Sequence, residues 1–110
     1  MLMFAIQPSA SPNHRYQIDV YGKVINFGSP TMENFLMHKN EQRRRSYLNR
    51  SRNIKRKDGK ITRNYPLSAN YWSRRVLWAS GEPLLGIDHK YHSLIQHQID
   101  KIKTLEQKKK

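Results

Sequence analysis

Between Lys39 and Arg75 the chain carries 13 Lys or Arg residues against two acids, Glu41 and Asp58. Arginine predominates, and a guanidinium fork pairs bidentately with phosphate or carboxylate. Solvated protein faces ordinarily mix both signs of charge, so a one-signed stretch reads as a docking surface for a polyanion or an acidic protein. Arg43, Arg44, Arg45, Arg50, Arg74 and Arg75 are the residues expected to form this polar grip. Phe35, Tyr71, Trp72 and Trp78 are expected to act as structural anchors, because a chain with few other large apolar groups has to bury its largest ones. The alternative use of Tyr47, Tyr65, Tyr71, Trp72 and Trp78 is stacking on nucleic-acid bases.

Other chemistry finds less support in the residues. The eight carboxylates are scattered singly, without a nucleophile and base spaced to meet, so no catalytic residue is expected. Cysteine is absent, which excludes disulfides and thiolate metal sites. His89 and His92 stand one helical turn apart and His97 follows, but no HExxH pattern accompanies them, and surface histidines are the simpler reading. Neither a metal nor a cofactor is expected.

The elements that must position the arginines follow from patterning. Leu, Ile, Val and Phe make up about 22% of 110 residues, near the level at which a charge of +13 favours disorder. A small core, completed by order borrowed from a partner, is the expectation. Met1 to Ile6 is apolar but too short, and lacks the basic flank, for a signal peptide. With the Pro- and Ser-rich residues behind it, it reads as an extended arm over 1–14 that docks on a neighbour. Tyr16, Ile18 and Val20, then Tyr21-Gly22, then Val24, Ile25 and Phe27 predict a hairpin. Ser29-Pro30 signals a helix start carrying Met32, Phe35 and Leu36 on one face, Asn40 caps a polar helix to about Asn53, and Lys55–Lys60 forms a charged turn. Ser68 caps a further helix to Trp78. An amphipathic helix from about Asp88 to Gln107 carries Tyr91, Leu94, Ile95, Ile99, Ile102 and Leu105 in a stripe and ends in lysines. The stripe suits packing on the domain or, as the alternative, a homo-oligomer. The expected fold is mainly α with a small N-terminal β-hairpin: a small irregular α+β domain with an extended N-terminal arm and an amphipathic C-terminal helix. Its divisions are the arm over 1–14, a small basic domain over 15–87, and the helix with its basic tail over 88–110.

Two stretches carry a resemblance: Phe27 to Asn40 running into Arg43–Tyr47 and Arg50, and Tyr71 to Trp78. Together they resemble a family of small basic proteins of unassigned activity encoded by large nucleocytoplasmic DNA viruses. Its pattern is F-G-x-x-x-x-x-x-F-x-x-H-K, then R-x-x-Y-x-x-R, then aromatic-S-[RK]-x-x-L-W. The match spans residues 27–78, and Met32, Glu33 and Asn40 depart from it. The resemblance implies a virion protein without catalytic residues, a minor capsid component that cements capsid subunits or lines the inner face of the shell. Its implied partners are the major capsid protein and other minor capsid proteins, with the inner viral membrane surface or DNA as further acidic neighbours. The alternative reading is a nucleic-acid-binding protein for genome packaging.

Overall fold

The computed structural model describes residues 3–108. Met1 and Leu2 of the apolar start, and Lys109 and Lys110 of the basic tail, lie outside them. Three strands come first: β1 (Ile6–Pro8), β2 (Tyr16–Val20) and β3 (Lys23–Phe27), an antiparallel sheet in that order. The register pairs Ile6 with Ile18 and Ile18 with Ile25. The β2–β3 turn is Tyr21-Gly22, with φ of 50° and 88°. Two consecutive positive φ values give the turn whose twist matches that of the flanking strands. Asp19 Oδ1 accepts the Gly22 N–H at 2.7 Å. The strained Tyr21 is held by its ring, edge-on to Phe4 and Tyr91 at centroid distances of 5.3 and 5.8 Å.

Helices follow: α1 (Phe35–His38), α2 (Glu41–Ser51), α3 (Ala69–Trp72), which runs on as a π-helical turn over Ser73–Leu77, and α4 (His92–Lys108). Short 3-10 turns cover Thr62–Asn64 and His89–Tyr91. Asn40 caps α2 by accepting the Arg43 N–H at 3.0 Å, and Ser68 caps α3 through the Asn70 N–H at 3.2 Å. One face of the sheet, through Ile18, Val20 and Phe27, shares a core with Trp72, Val76 and Leu77 of the α3 segment and with Ile95 and Ile102 of α4.

Three expectations are corrected. The fold is α+β with a three-stranded sheet, rather than mainly α with a hairpin and a free arm. The supposed arm supplies β1, with Phe4 fully buried and the Ile6 N–H donated to Gln98 Oε1 of α4 at 3.3 Å. The Pro- and Ser-rich residues behind it are a hairpin loop. Its backbone is held internally, with Ala10 N donating to Gln17 Oε1 at 2.9 Å and Ser9 N to the Arg15 carbonyl; linker and turn compositions coincide because both favour Pro, Ser and Asn.

The helix start moves as well. Ser29 Oγ accepts the Thr31 and Met32 N–H groups in a local turn, and α1 begins only at Phe35, capped by Asn34. A serine hydroxyl that satisfies nearby amides can close a turn as readily as open a helix. Finally, the stripe of α4 is narrower than its periodicity suggests. Ile95 and Ile102 are buried, Leu94 and Leu105 are exposed, and Glu106 is buried in their place, accepting the Tyr16 hydroxyl. Burial, reinforced by that contact with Glu106, pushes the Tyr16 hydroxyl pKa well above its ordinary value.

A radius of gyration of 13.3 Å equals the roughly 13 Å of a fully packed chain of this length. The order expected to come from a partner is thus supplied within the described residues. Phe4→Ala should cost about 3–5 kcal/mol, read as a lower denaturation midpoint. An unpacked arm would leave the midpoint unchanged.

Candidate functional site

Helix α2 has three faces, set by its 100° step per residue. Arg44, Leu48 and Ser51 turn toward the α3 segment, Arg43, Ser46, Tyr47 and Arg50 toward a groove, and Arg45, Asn49 and Arg52 outward. On the packing face the guanidinium of Arg44 donates to the Trp78 and Ala79 carbonyls at 3.1 and 2.8 Å. These are the carbonyls that a helix end leaves orphaned, and Ala79 leaves the helix in the left-handed region at φ 47°.

Opposite lie two arginines whose side chains are among the most enclosed in the molecule. Arg74, 4% exposed, donates to both oxygens of Glu82 at 2.8 and 3.1 Å, to the Leu48 carbonyl at 2.6 Å and to Ser51 Oγ at 2.7 Å. Arg75 donates to the carbonyls of Pro83, Arg63 and Tyr71, and its guanidinium sits 3.6 Å from the centre of the Tyr71 ring. The α3 segment is covered on several sides, by α2 at Leu48 and Ser51, by Arg63 and Pro66, by Glu82 to Leu85 and by the sheet, which makes this possible. Its Trp78 N–H reaches back to the Ser73 carbonyl at 3.2 Å, and residues 71–78 are buried without interruption. A plain amphipathic helix would leave part of each turn in water.

The charges respond accordingly. Burial pushes the Glu82 carboxyl upward, but hydrogen bonds and charge from Arg74, aided by Ser80 and Arg75, outweigh it and hold the group below its ordinary value. Burial lowers the Arg75 pKa, opposed by Tyr71 and Glu82, and raises the Tyr71 hydroxyl to about 12 against the pull of Arg75.

The expected grip therefore divides. Arg44 is engaged by carbonyls and by Glu41 at 2.7 Å, and Arg74 and Arg75 by carbonyls and Glu82, whereas Arg43, Arg45 and Arg50 are exposed. Arg43 lies 3.8 Å from Glu33 and Arg45 4.0 Å from Glu41, contacts that solvent weakens. Of the expected anchors, Tyr71 and Trp72 have no exposure and Trp78 has 8%, while Phe35 is half-buried against the core.

Arg43 and Arg50 flank a groove of about 760 Å³ between α2, the Gly28–Asn34 loop and the α3 segment. Its floor is a stacked pair, Tyr47 on Trp78, with centroids 4.1 Å apart and planes 8° from parallel. The Tyr47 hydroxyl meets Ser73 Oγ at 3.0 Å. The other end is fixed by Gly28: its φ is +83°, and a Cβ there would come within 2.7 Å of Leu77 Cδ1. The two stretches that carry the family resemblance thus pack on each other, Gly28 on Leu77 and Arg44, Tyr47 and Leu48 on Ser73, Arg74 and Trp78.

Asn34 also lines this groove. It is 3% exposed, its Oδ1 accepts the Met37 N–H at 3.3 Å, and its Nδ2 has no hydrogen-bond partner. Sequence reasoning passed over Asn34 because Ser29 looked the better cap. It also passed over Glu82, a lone acid eight residues from its arginine. The spacing of Arg43, Ser46, Tyr47 and Arg50 on one face was available as a signal. His89 and His92 have rings 5.0 Å apart, and His92 Nε2 contacts the Ile87 carbonyl. Among the described residues no three candidate ligands gather around a metal position.

Two substitutions separate the classes of arginine. Arg74→Ala should destabilise by about 3 kcal/mol, since it removes both close hydrogen bonds of Glu82, leaving it only Arg63 at 3.6 Å and Arg75 at 4.0 Å, and empties the donors to the Leu48 carbonyl and Ser51 Oγ, whereas Arg45→Ala should stay within about 0.5 kcal/mol. Because the folded Glu82 pKa is depressed, its contribution is present above the unfolded value, about 4.3, and is lost as pH falls below it through the folded value. Urea midpoints measured across that range should fall in the native protein and fall less steeply in Glu82→Gln.

In comparisons with known proteins, residues 4–51 match the model of a Family of unknown function (DUF5754). That match takes in the sheet, α1 and α2 and ends before Trp78 on the floor of the groove. No curated protein matches, and no solved structure does.

Proposed function

We propose that this chain is a structural protein of a large DNA virus particle, a minor capsid component that attaches to shell subunits through the cationic surface of α2. The observation that carries the reading is the division among the arginines. Arg44, Arg74 and Arg75 are committed to the fold, while Arg43, Arg45 and Arg50 stand exposed on one rigid helix. Two acids, Glu82 and Glu106, and two arginines, Arg74 and Arg75, are drawn inward together, so the positive excess of the sequence is left to the rest of the chain undiminished. Such a surface steers and fixes acidic partners. The family resemblance of residues 27–78 supplies the viral setting, and its motif residues form the wall and floor beside that surface. No helix of the described residues is long and apolar enough to cross a membrane.

Base stacking is poorly served. The Trp78 ring lies between Tyr47 and His38, at centroid distances of 4.1 and 5.3 Å, and Trp72 has no exposure. Tyr65 is half-buried with the Arg56 guanidinium 3.9 Å from its ring centre, so contact with DNA would rest mainly on phosphate neutralisation, with its steep salt dependence.

The test is fractionation of purified particles. The chain should stay with the shell when the genome is released, at a fixed ratio to the major subunit. Combined Arg43→Glu, Arg45→Glu and Arg50→Glu should cut its copy number severalfold while its melting temperature stays within a few degrees. Release together with the DNA, or unchanged incorporation of the triple variant, would overturn the proposal.

A further inference from the structure

The groove beside α2 has the composition of a peptide site. We infer that it binds an extended acidic segment of a partner protein, with carboxylates on Arg43 and Arg50 and a main-chain carbonyl on Asn34 Nδ2. This deepens the attachment proposed above and rests on that reading only for the source of the segment.

Three observations select this occupant. Arg43 and Arg50 lie seven residues apart on α2, about 10 Å along the axis at 1.5 Å per residue. A polyproline-II segment repeats every third residue with about 3.1 Å of rise, so acids at positions i and i+3 share one edge about 9 Å apart. The two spacings agree. A volume of about 760 Å³ exceeds what a simple inorganic anion would fill and lies within the roughly 300–1,000 Å³ of ligand clefts.

Second, Asn34 Nδ2 is a buried donor without an acceptor, in a residue 3% exposed. An unpaired buried polar group is costly; the atom is closed to solvent here, so an arriving carbonyl reaches it only as the Gly28–Asn34 loop shifts, and relief of that cost favours the shift. Third, the aromatic floor offers little ring face to a base. Tyr47 and Trp78 cover each other, His38 lies beside Trp78, and the Arg50 guanidinium stands 5.8 Å from the centre of the Tyr47 ring. Met32, which lines the groove and is 70% exposed, supplies an apolar surface for aliphatic side chains, and the charges beside it favour carboxylates.

Glu33 already sits 3.8 Å from Arg43 at the rim. It occupies the position a partner carboxylate would take, so the segment has to displace it.

The probe is a short capped peptide of serine, threonine, valine and proline with two glutamates three positions apart, titrated against the full chain by fluorescence anisotropy. A lysine-for-glutamate peptide and an oligothymidylate serve as competitors. Binding by the glutamate peptide should exceed that of its lysine counterpart at least about tenfold. Arg50→Glu should abolish it. Asn34→Asp keeps an oxygen for the Met37 N–H and removes the donor, and should weaken binding about tenfold; circular dichroism melts check that both variants fold. Glu33→Gln should tighten binding severalfold, which no unfolded variant would do. Equal binding of the two peptides, no binding of either, or displacement by oligothymidylate at lower concentration than by free glutamate peptide would overturn the inference. Peptide binding without shell association would remove the virion reading and leave the groove assignment standing. Shell association without peptide binding would do the reverse.

Discussion

The molecule depends on the burial of two adjacent guanidiniums. Arg74 and Arg75 cross-link four separate pieces of backbone: the α2 end at Leu48–Ser51, the loop at Arg63, the α3 turn at Tyr71, and the strap at Glu82–Pro83. A chain this poor in aliphatic residues cannot knit those pieces together by apolar contact alone. Arginine can, because its donors lie in one rigid plane and reach several carbonyls at once while its face rests on an aromatic ring. A buried cation is expensive by itself, and Glu82 together with the carbonyl dipoles makes the arrangement tolerable.

That arrangement sets the electrostatics of everything outside it. Interior arginine consumes a carboxylate and several carbonyls, and Glu106 is likewise withdrawn to meet Tyr16 beneath α4. The remaining surface carries Arg43, Arg45, Arg50 and the Lys55–Lys60 turn against the exposed acids Glu33, Glu41 and Asp58. The same stretch of chain thus serves two ends: its inward arginines hold α2 in place, and its outward ones are presented by a helix that is firmly held. A grip on a flexible segment would lose more entropy on engaging a partner.

Much of this was legible in the sequence, and the failures have physical reasons. The β2–β3 hairpin, the Asn40 cap, the Ser68 cap and the amphipathic α4 follow from alternation, capping chemistry and helical period, which are local properties. The third strand did not follow, because Ile6 is ordered by Ile18 and by Gln98 of α4, partners far away in sequence. The interior arginines did not follow either. Hydropathy assigns every guanidinium to water, and residues 71 to 78 are buried without interruption because separate elements, distant in sequence, cover each side of that segment. In the candidate groove, the helical spacing of Arg43 and Arg50 was readable, whereas the stranded Asn34 amide depended on how the loop closes.

The pairings that complete the sheet span most of the chain: Ile6 with Gln98 and Tyr16 with Glu106. During synthesis the first strands emerge long before the helix that covers them, so their apolar face must wait, open, while the strongly cationic middle is being translated. Closure is then a late event, coupled to completion of α4. Until that moment the newborn polypeptide is an open, polycationic coil with an uncovered apolar face, and the interval before α4 is made is when it is most exposed to aggregation.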